Sequence, residues 1–452
     1  TKGHIAMLSA FVNTFNIAEL RQRILFTFGL IFICRLIAAV PLPGVDAVSI
    51  RAFIEAQGGA EGGLFGIMNL FSGGALLQCS IGTLGIMPYI SASIIIQLMT
   101  AVIPHLEKLA REGDVGRQKI TQYTRYLTVV ICAVQSVAMA IALQSGGYFG
   151  LPAEVVRIPG IGFILLTLLS LVTGSLLLMW IGEQMTDRGI GNGISIIITV
   201  NIISSMPMAV KTLIDKLTPV DGVAEIGVFH LALLIALIFV VIIVVVAVSQ
   251  AQQKIPVQFA KRMVGRKMMQ GGTSHLPLRV NYSGVMPIIF ASAIMAIFPK
   301  IGSFLPFQWA KEWANSFPMS GWYMFWFGMM ILFFSYFWVA TQFNPIQIAD
   351  DLKKRGGYIP GIRPGRPTAE YLDKTMTRLT LAGAVFLTAI AVMPNVMTAQ
   401  FKVPWIVASF FGGTSLLIIV GVMLDTMRQI ESHLLMRHYD GFLKKGKMRS
   451  GR

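Results

Sequence analysis

Apolar residues along this chain come in long blocks separated by charged segments. Ten blocks can be marked, near residues 24–42, 75–103, 127–143, 161–181, 190–210, 228–248, 283–299, 322–343, 379–396 and 403–424. Most approach the length of about 20 residues that crosses a hydrocarbon core as a helix. The clearest is 231–248, eighteen consecutive apolar residues without a charge. Five blocks precede the segment 211–227 and five follow it. An odd number per half makes the second half enter the membrane from the opposite side, which is the arithmetic of an inverted repeat. The expected fold is an all-α integral membrane protein of ten transmembrane helices in two inverted five-helix halves. These are residues 1–210 and 228–436, joined by an external loop at 211–227 and followed by a basic tail at 437–452 that reads as disordered.

One block departs from the pattern. Gly62-Gly63 and Gly73-Gly74 bracket a short apolar segment at 64–72, and the run that follows is broken by Gly82, Gly85 and Pro88. Each break frees backbone polar groups that lipid cannot satisfy. Something other than lipid is therefore expected beside residues 62–100.

Composition agrees with a membrane location: 55% of the 452 residues are hydrophobic and 13% charged. Charge then orients the chain. Of the 37 Lys and Arg, 29 fall on the side holding both ends of the sequence, with loops near 104–126, 182–189, 249–282 and 344–378. The opposite side holds seven, and Arg35 sits inside the first block, where it reads as snorkelling or capping a neighbouring helix end. The positive-inside rule puts both termini in the cytoplasm and the protein in a cytoplasmic membrane. The first block reads as a retained span rather than a cleaved signal peptide. The segment before it, with Phe11, Phe15, Ile17 and Leu20 among Glu19, Arg21 and Arg23, reads either as an amphipathic helix on the membrane surface or as a plain basic flank. Cys34, Cys79 and Cys132 are scattered in or beside apolar runs and read as small buried hydrophobes.

The residues offer little material for catalysis. There is no HExxH, GxSxG or Walker A sequence, and the blocks are almost free of the carboxylates that couple ions in many transporters. No enzyme activity, cofactor or metal is expected, and the chain reads as a passage or a scaffold. Two inner loops do carry chemistry. Residues 249–282 hold six basic side chains and no acidic one, including Lys254, Lys261, Arg262, Arg266 and Lys267. Such a loop suits an acidic or phosphate-rich partner, against the plainer reading of a solvated surface. In 344–378, Pro360, Gly361, Pro364, Gly365 and Pro367 fix a turn with Arg363 at its tip. Ile86 with Ile90, and Ile194 with Ile198, are four apart, so each pair shares one helix face.

Several strings together carry a resemblance over essentially the whole chain: FSGGALLQCSIGTLGIMPYISASIIIQL, MWIGEQMTDRGIGNGISIII, HLPLRVNYSGVMPIIFA, FNPIQIADDLKK, YIPGIRPGRPT and FGGTSLLI. They resemble the SecY family of protein-conducting channels in its bacterial form. The resemblance implies two inverted halves closing around a central hourglass pore. It implies a plug at 62–74, comprising Leu64, Phe65, Ile67, Met68, Asn69, Leu70, Phe71, Ser72, Gly73 and Gly74. It implies a pore ring of Ile86, Ile90, Ile194, Ile198, Ile289 and Ile418, which would exclude water by dewetting yet part around a polypeptide. A lateral gate would be lined by Ser91, Gln135 and Asn281, although a lone Gln in a span, as Gln135 is, also serves as interhelical glue. The basic loops would dock the SecA motor ATPase and ribosomal RNA of the ribosome, with Arg363 a central contact. SecE and SecG would be small membrane subunits beside it, and the substrates would be secretory and membrane proteins with signal sequences. Two other functions stay open from the residues: a secondary transporter with inverted repeats, or an insertase scaffold without a pore.

Overall fold

A computed structural model of the chain describes residues 18–46, 69, 72–144, 156, 159–217, 228–259, 262–264, 267–269, 273–304, 307–317, 320–401 and 403–449. The chain separates into two compact units, Thr1–Leu213 with Ile418–Arg452, and Ile214–Leu417.

In the first unit, α1 spans Ala18–Ala39 and stops just before Pro41 and Pro43, where proline disfavours helix at the preceding residue and supplies no N–H. Residues 73–86 are turns, and only then does α2 (Met87–Val102) begin, with Pro88 in its first turn. Pro104 opens α3 (Pro104–Arg111), and the pair is bent by 103°. The long helices α4 (Asp114–Gln144) and α5 (Ile161–Arg188) pack against each other, and α2 packs on α4. A bidentate pair from Arg125 to Glu183, both contacts 2.9 Å, ties α4 to α5 where both helices emerge from their apolar stretches. The next helix, α6 (Gly193–Ser204), is capped by Asn192, whose Oδ1 accepts from the backbone N–H of Ile194 at 3.1 Å and of Ser195 at 3.2 Å. A further helix, α7, covers Met206–Leu217 and passes from the first unit to the second at Ile214. A buried cluster of Leu42, Leu76, Cys79, Met139, Ala140, Leu143, Val156, Phe163 and Leu171 joins the turn segment to α4 and α5.

The second unit contains α8 (Val228–Gln250), α9 (Met286–Phe304), α10 (Gln308–Ser316), α11 (Gly321–Gln342), α12 (Pro345–Lys354), α13 (Arg366–Phe401) and α14 (Trp405–Gly412). The last helix, α15 (Thr414–Arg449), starts at the edge of this unit and belongs to the first from Ile418 onward. Between α8 and α9 lie β1 (Gln252–Phe259), β2 (Arg262–Val264), β3 (Lys267–Met269) and β4 (Thr273–Arg279). β5 (Gly357–Tyr358) follows α12 and completes a three-stranded antiparallel sheet of order β4-β1-β5; β2 and β3 pair separately.

Among the described residues, seven helices are long and apolar enough to cross a membrane, and the bent α2–α3 pair makes up to eight. Shorter apolar stretches occur at Leu234–Gln250 and Met286–Met295. Three sequence expectations change. The expected all-α framework is supplemented by a small β-sheet in the loop near 249–282. The block 75–103 is helical only from Met87, because two left-handed residues, Cys79 (φ 39) and Gly85 (φ 59), cannot belong to a right-handed helix. The tail is not irregular over the described residues: α15 runs unbroken to Arg449. The N-terminal segment up to residue 17, read as an amphipathic helix or a basic flank, and residues 218–227 of the external loop, lie outside the described residues.

Candidate functional site

The broken segment solves its own backbone problem. Buried Ser72 donates to the Asn69 carbonyl at 3.1 Å and its Oγ accepts from the Leu76 N–H at 3.2 Å. Buried Thr83 donates to the Ser80 carbonyl at 2.5 Å, with the Ala75 carbonyl 3.2 Å from the same hydroxyl. The chain then borrows the end of the first span: the Leu42 N–H donates to the Cys79 carbonyl at 2.8 Å, and the Ile81 N–H to Val40 at 2.9 Å. Groups that a membrane core would leave orphaned are thus satisfied by two hydroxyls and a neighbouring strand-like bridge at Pro41 and Ser80. On the other side, α5 approaches so closely at Gly174 that a Cβ there would be 2.6 Å from Ile81 Cγ2 and closer still to the Ile81 carbonyl oxygen. The segment 73–86 is therefore a fixed turn wedged between α1 and α5. Of the expected plug, Asn69, Ser72, Gly73 and Gly74 are seen here; Leu64, Phe65, Ile67, Met68, Leu70 and Phe71 lie outside the described residues.

This turn delivers Ile86 to the start of α2. Ile86 is the N-cap residue, 1% exposed, and its carbonyl accepts from the Ile90 N–H at 3.1 Å, which puts the two branched side chains one above the other. Ile90 and Ile198 are also buried, whereas Ile194 is partly exposed. Ile194 leans on α5: its Cγ1 would stand 3.2 Å from a Cβ placed on Gly182. Ile418 is buried near the start of α15, and these five residues belong to the first unit. Ile289, buried in α9, belongs to the second.

Ser91 on α2 and Gln135 on α4 are both half-buried, on two helices packed against each other. Asn281 lies not on a helix but in the turn before α9, buried, with Ser283 Oγ donating to its Oδ1 at 3.4 Å. Beside it α13 comes close, since a Cβ on Gly383 would be 2.7 Å from the Val280 carbonyl oxygen.

The second unit brings the two basic loops together. β1 pairs with β5 at Gln258↔Tyr358 and Phe259↔Gly357, and the Tyr358 hydroxyl donates to Gln258 Oε1 at 3.0 Å. Ile255 and Val257 of β1 and Leu278 of β4 turn inward onto Val339, Phe343, Ile359, Leu372 and Met376. This leaves Lys254 outward and exposed. The alternation Ile255, Val257, Phe259 against Lys254, Pro256, Gln258 is the strand signal that announces this ribbon. Arg363 is exposed on the turn after β5. Gly361 (φ 82) and Gly365 (φ 104) shape that turn, and Thr368 Oγ1 donates to the Arg363 carbonyl at 2.9 Å. Arg262 and Lys267 lie on β2 and β3, while Lys261 and Arg266 fall outside the described residues.

Comparison with known proteins accords with this anatomy. The family SecY matches residues 80–427. Protein translocase subunit SecY of Chlamydia trachomatis is 44% identical over 445 residues, covering 95% of this chain and 97% of that protein. Its counterpart in Streptomyces coelicolor is 43% identical, covering 97% of this chain and all of that one. Among solved structures, a protein-conducting channel superposes with a TM-score of 0.60 at 18% identity over 91% of each chain. Sec61 from the canine ribosome–channel complex gives a TM-score of 0.56 at 16% identity, again over 91% of each. On a match that runs through both units at this level of identity, the chain belongs to the SecY family of protein translocase subunits.

Proposed function

We propose that this chain is the conducting subunit of a translocase in the cytoplasmic membrane, moving unfolded secretory polypeptides outward and releasing apolar segments sideways into lipid. Ten transmembrane helices in two inverted halves, 1–210 and 228–436, would surround an hourglass pore, with both termini in the cytoplasm. Ile86, Ile90, Ile194, Ile198, Ile289 and Ile418 would form its constriction. Residues 64–74 would plug the outer side, and Ser91, Gln135 and Asn281 would line the lateral exit. The observation that carries the reading is the turn at 73–86: a non-helical segment at membrane depth is tolerated where it is buried in protein or faces water, and here it sets two buried isoleucines one above the other. Small partner subunits of the SecE and SecG kind would complete the complex. A SecA-type motor or the ribosome would supply the driving force at the β1–β5 platform, where Lys254 and Arg363 stand exposed.

Vesicles containing the complex, a motor ATPase and a radiolabelled precursor test this. Protease-protected precursor should accumulate with ATP. Arg363→Glu should weaken motor binding about thirtyfold or more, the scale of reversing one member of a desolvated charge pair, and lower export accordingly. Vesicles that carry a small solute but never a precursor would make the chain a transporter. Precursor insertion without any conducting state would make it a scaffold, and full export by the Arg363→Glu protein would remove Arg363 from the docking surface.

A further inference from the structure

Four of the chain's seven tryptophans fall between 309 and 326, where α9 gives way to α10 and α10 to α11. α11 is 22 residues long, about 33 Å, which matches the hydrocarbon thickness, and α9 is nearly as long at 19 residues. α9 follows β4 after a short turn, and the Gln342 end of α11 leads through α12 to β5. Both helices therefore have one end at the β4-β1-β5 platform. Their other ends, Phe304 and Gly321, reach the opposite boundary of the membrane, and α10 joins them there. With nine residues, about 14 Å, α10 is too short to cross.

Its spacing divides it lengthwise. Apolar residues occupy positions 309, 310, 313, 314 and 317, and polar ones 308, 311, 312, 315 and 316, on opposite faces of one helix. The polar face holds one Lys and one Glu, so it offers no net charge to a partner. On the apolar face Trp309 and Trp313 stand 68% and 45% exposed, yet both are held in place. Phe307 stacks on Trp309 with ring centroids 6.1 Å apart, and Trp313 stacks on Phe317 at 4.7 Å. Buried Phe317 meets Tyr323 edge-on at 5.7 Å, and Tyr323 stacks on Phe327 at 5.9 Å. This ladder fastens the end of α10 to the first turns of α11, and α10 also packs on α9. Trp322, Phe325 and Trp326, in the same turns of α11, are exposed as well, so the aromatic surface of α10 continues onto a helix that faces lipid. Indole rings gather at the edge of a bilayer because their bodies are apolar while their N–H groups need a polar partner.

We propose that α10 is an in-plane lipid anchor on the outer side of the membrane. Trp309 and Trp313 lie at the edge of the acyl chains, Gln308, Glu312 and Ser316 face water, and the helix sets the depth of the α9–α11 hairpin. The partner is an uncharged lipid surface, since the polar face carries no net charge and the opposite face is aromatic. The outer side rests on the topology proposed above.

The test places the whole complex in phosphatidylcholine vesicles, with a nitroxide on one introduced cysteine at a time: Gln308→Cys, Trp309→Cys, Glu312→Cys, Trp313→Cys or Ser316→Cys. Cys34, Cys79 and Cys132 are buried, which directs the label to the new thiol. Collision rates with oxygen, which concentrates among acyl chains, and with a water-soluble nickel chelate report depth. Labels at 309 and 313 should favour oxygen, and those at 308, 312 and 316 the chelate. Trp309→Ser with Trp313→Ser should shift the depth of a label at Met329→Cys, exposed on α11, and the corresponding pair of Phe substitutions should restore it. Chelate contact at all five positions would place α10 in water, and labels at 309 and 313 shielded from both reagents would mean that protein covers the face; either overturns the anchor. An unmoved label at Met329→Cys in the serine pair would overturn its control of depth. Chelate supplied to one side of uniformly oriented vesicles should reach Glu312→Cys and Lys254→Cys from opposite sides. Contact from the same side would refute the topology and the outer placement with it. Contact from opposite sides, with chelate favoured at 309 and 313, would leave the topology standing and remove the anchor.

Discussion

Asparagine at Ile90 or Ile198 converts the idle channel from ion-tight to leaky. Both side chains are buried, 5% and 2% exposed, on two different helices of the first unit. Asparagine is close to isoleucine in size, so it opens less of a cavity than glycine or alanine would. Its amide, left dry, costs roughly 1–3 kcal/mol, and hydration of the constriction relieves that cost. The wet state should gain by a factor of about five to 150, read as conductance per channel in vesicles carrying equal amounts of folded complex. Leu171→Asn is the companion measurement. Leu171 is as deeply buried, at 0%, but packs in the cluster with Leu42, Leu76 and Phe163, which contains none of these isoleucines. It should destabilise the protein without a matching rise in leak. A folded Ile90→Asn and Ile198→Asn pair that stays ion-tight would show that these isoleucines are ordinary core.

The second large effect is structural. Gly193→Val should stop the complex from accumulating, or lower its thermal midpoint sharply. A Cβ on Gly193 would be 2.5 Å from Met185 Cβ and 2.9 Å from the Gly182 carbonyl carbon, and would collide with the Gly182 oxygen. These are mostly backbone atoms of α5, which cannot rotate away. The Gly193 N–H also donates to Thr186 Oγ1 at 2.9 Å, so α6 is pinned to α5 at its first residue. Forcing a branched side chain into that contact costs on the order of 1–3 kcal/mol or more and shifts every residue that α6 carries, including Ile194 and Ile198. Gly29→Ala supplies the contrast. Nothing lies within 4 Å of a Cβ there, and removing a glycine from a helix interior should stabilise α1 by about 0.5–1 kcal/mol. Equal thermal midpoints for the Gly193→Val and parent complexes would refute the close approach.

Where the sequence could be read, and where it could not, follows from the range of the interactions. The apolar blocks at 127–143 and 161–181 appear as the cores of α4 and α5, because an apolar run at membrane depth has no alternative to internal hydrogen bonding. The pairing of Ile86 with Ile90 was legible for the same reason: it depends on neighbours one turn apart. The glycines and Pro88 announced a break in the 75–103 block, but not that the break extends to residue 86, since that is set by Thr83, Ser72 and the end of α1. The β1 ribbon was present as a period-two pattern only a few residues long, hidden among glutamines and lysines.

Membership of a polytopic membrane class, the glycine-bracketed segment and the exposed turn around Arg363 are properties of composition and local spacing, so the sequence alone determined them. The tertiary structure alone decided that Arg35 donates to the Gly73 carbonyl and that the guanidinium and Asn201 leave no room for a Cβ at position 73. Arg35 and Gly73 are 38 residues apart, and Ser204 is 131 from Gly73. No local pattern links them. The contact exists because α1 and α6 are packed close enough for a guanidinium and a hydroxyl to meet over one carbonyl oxygen. In a medium without water, that oxygen needs donors from the protein itself.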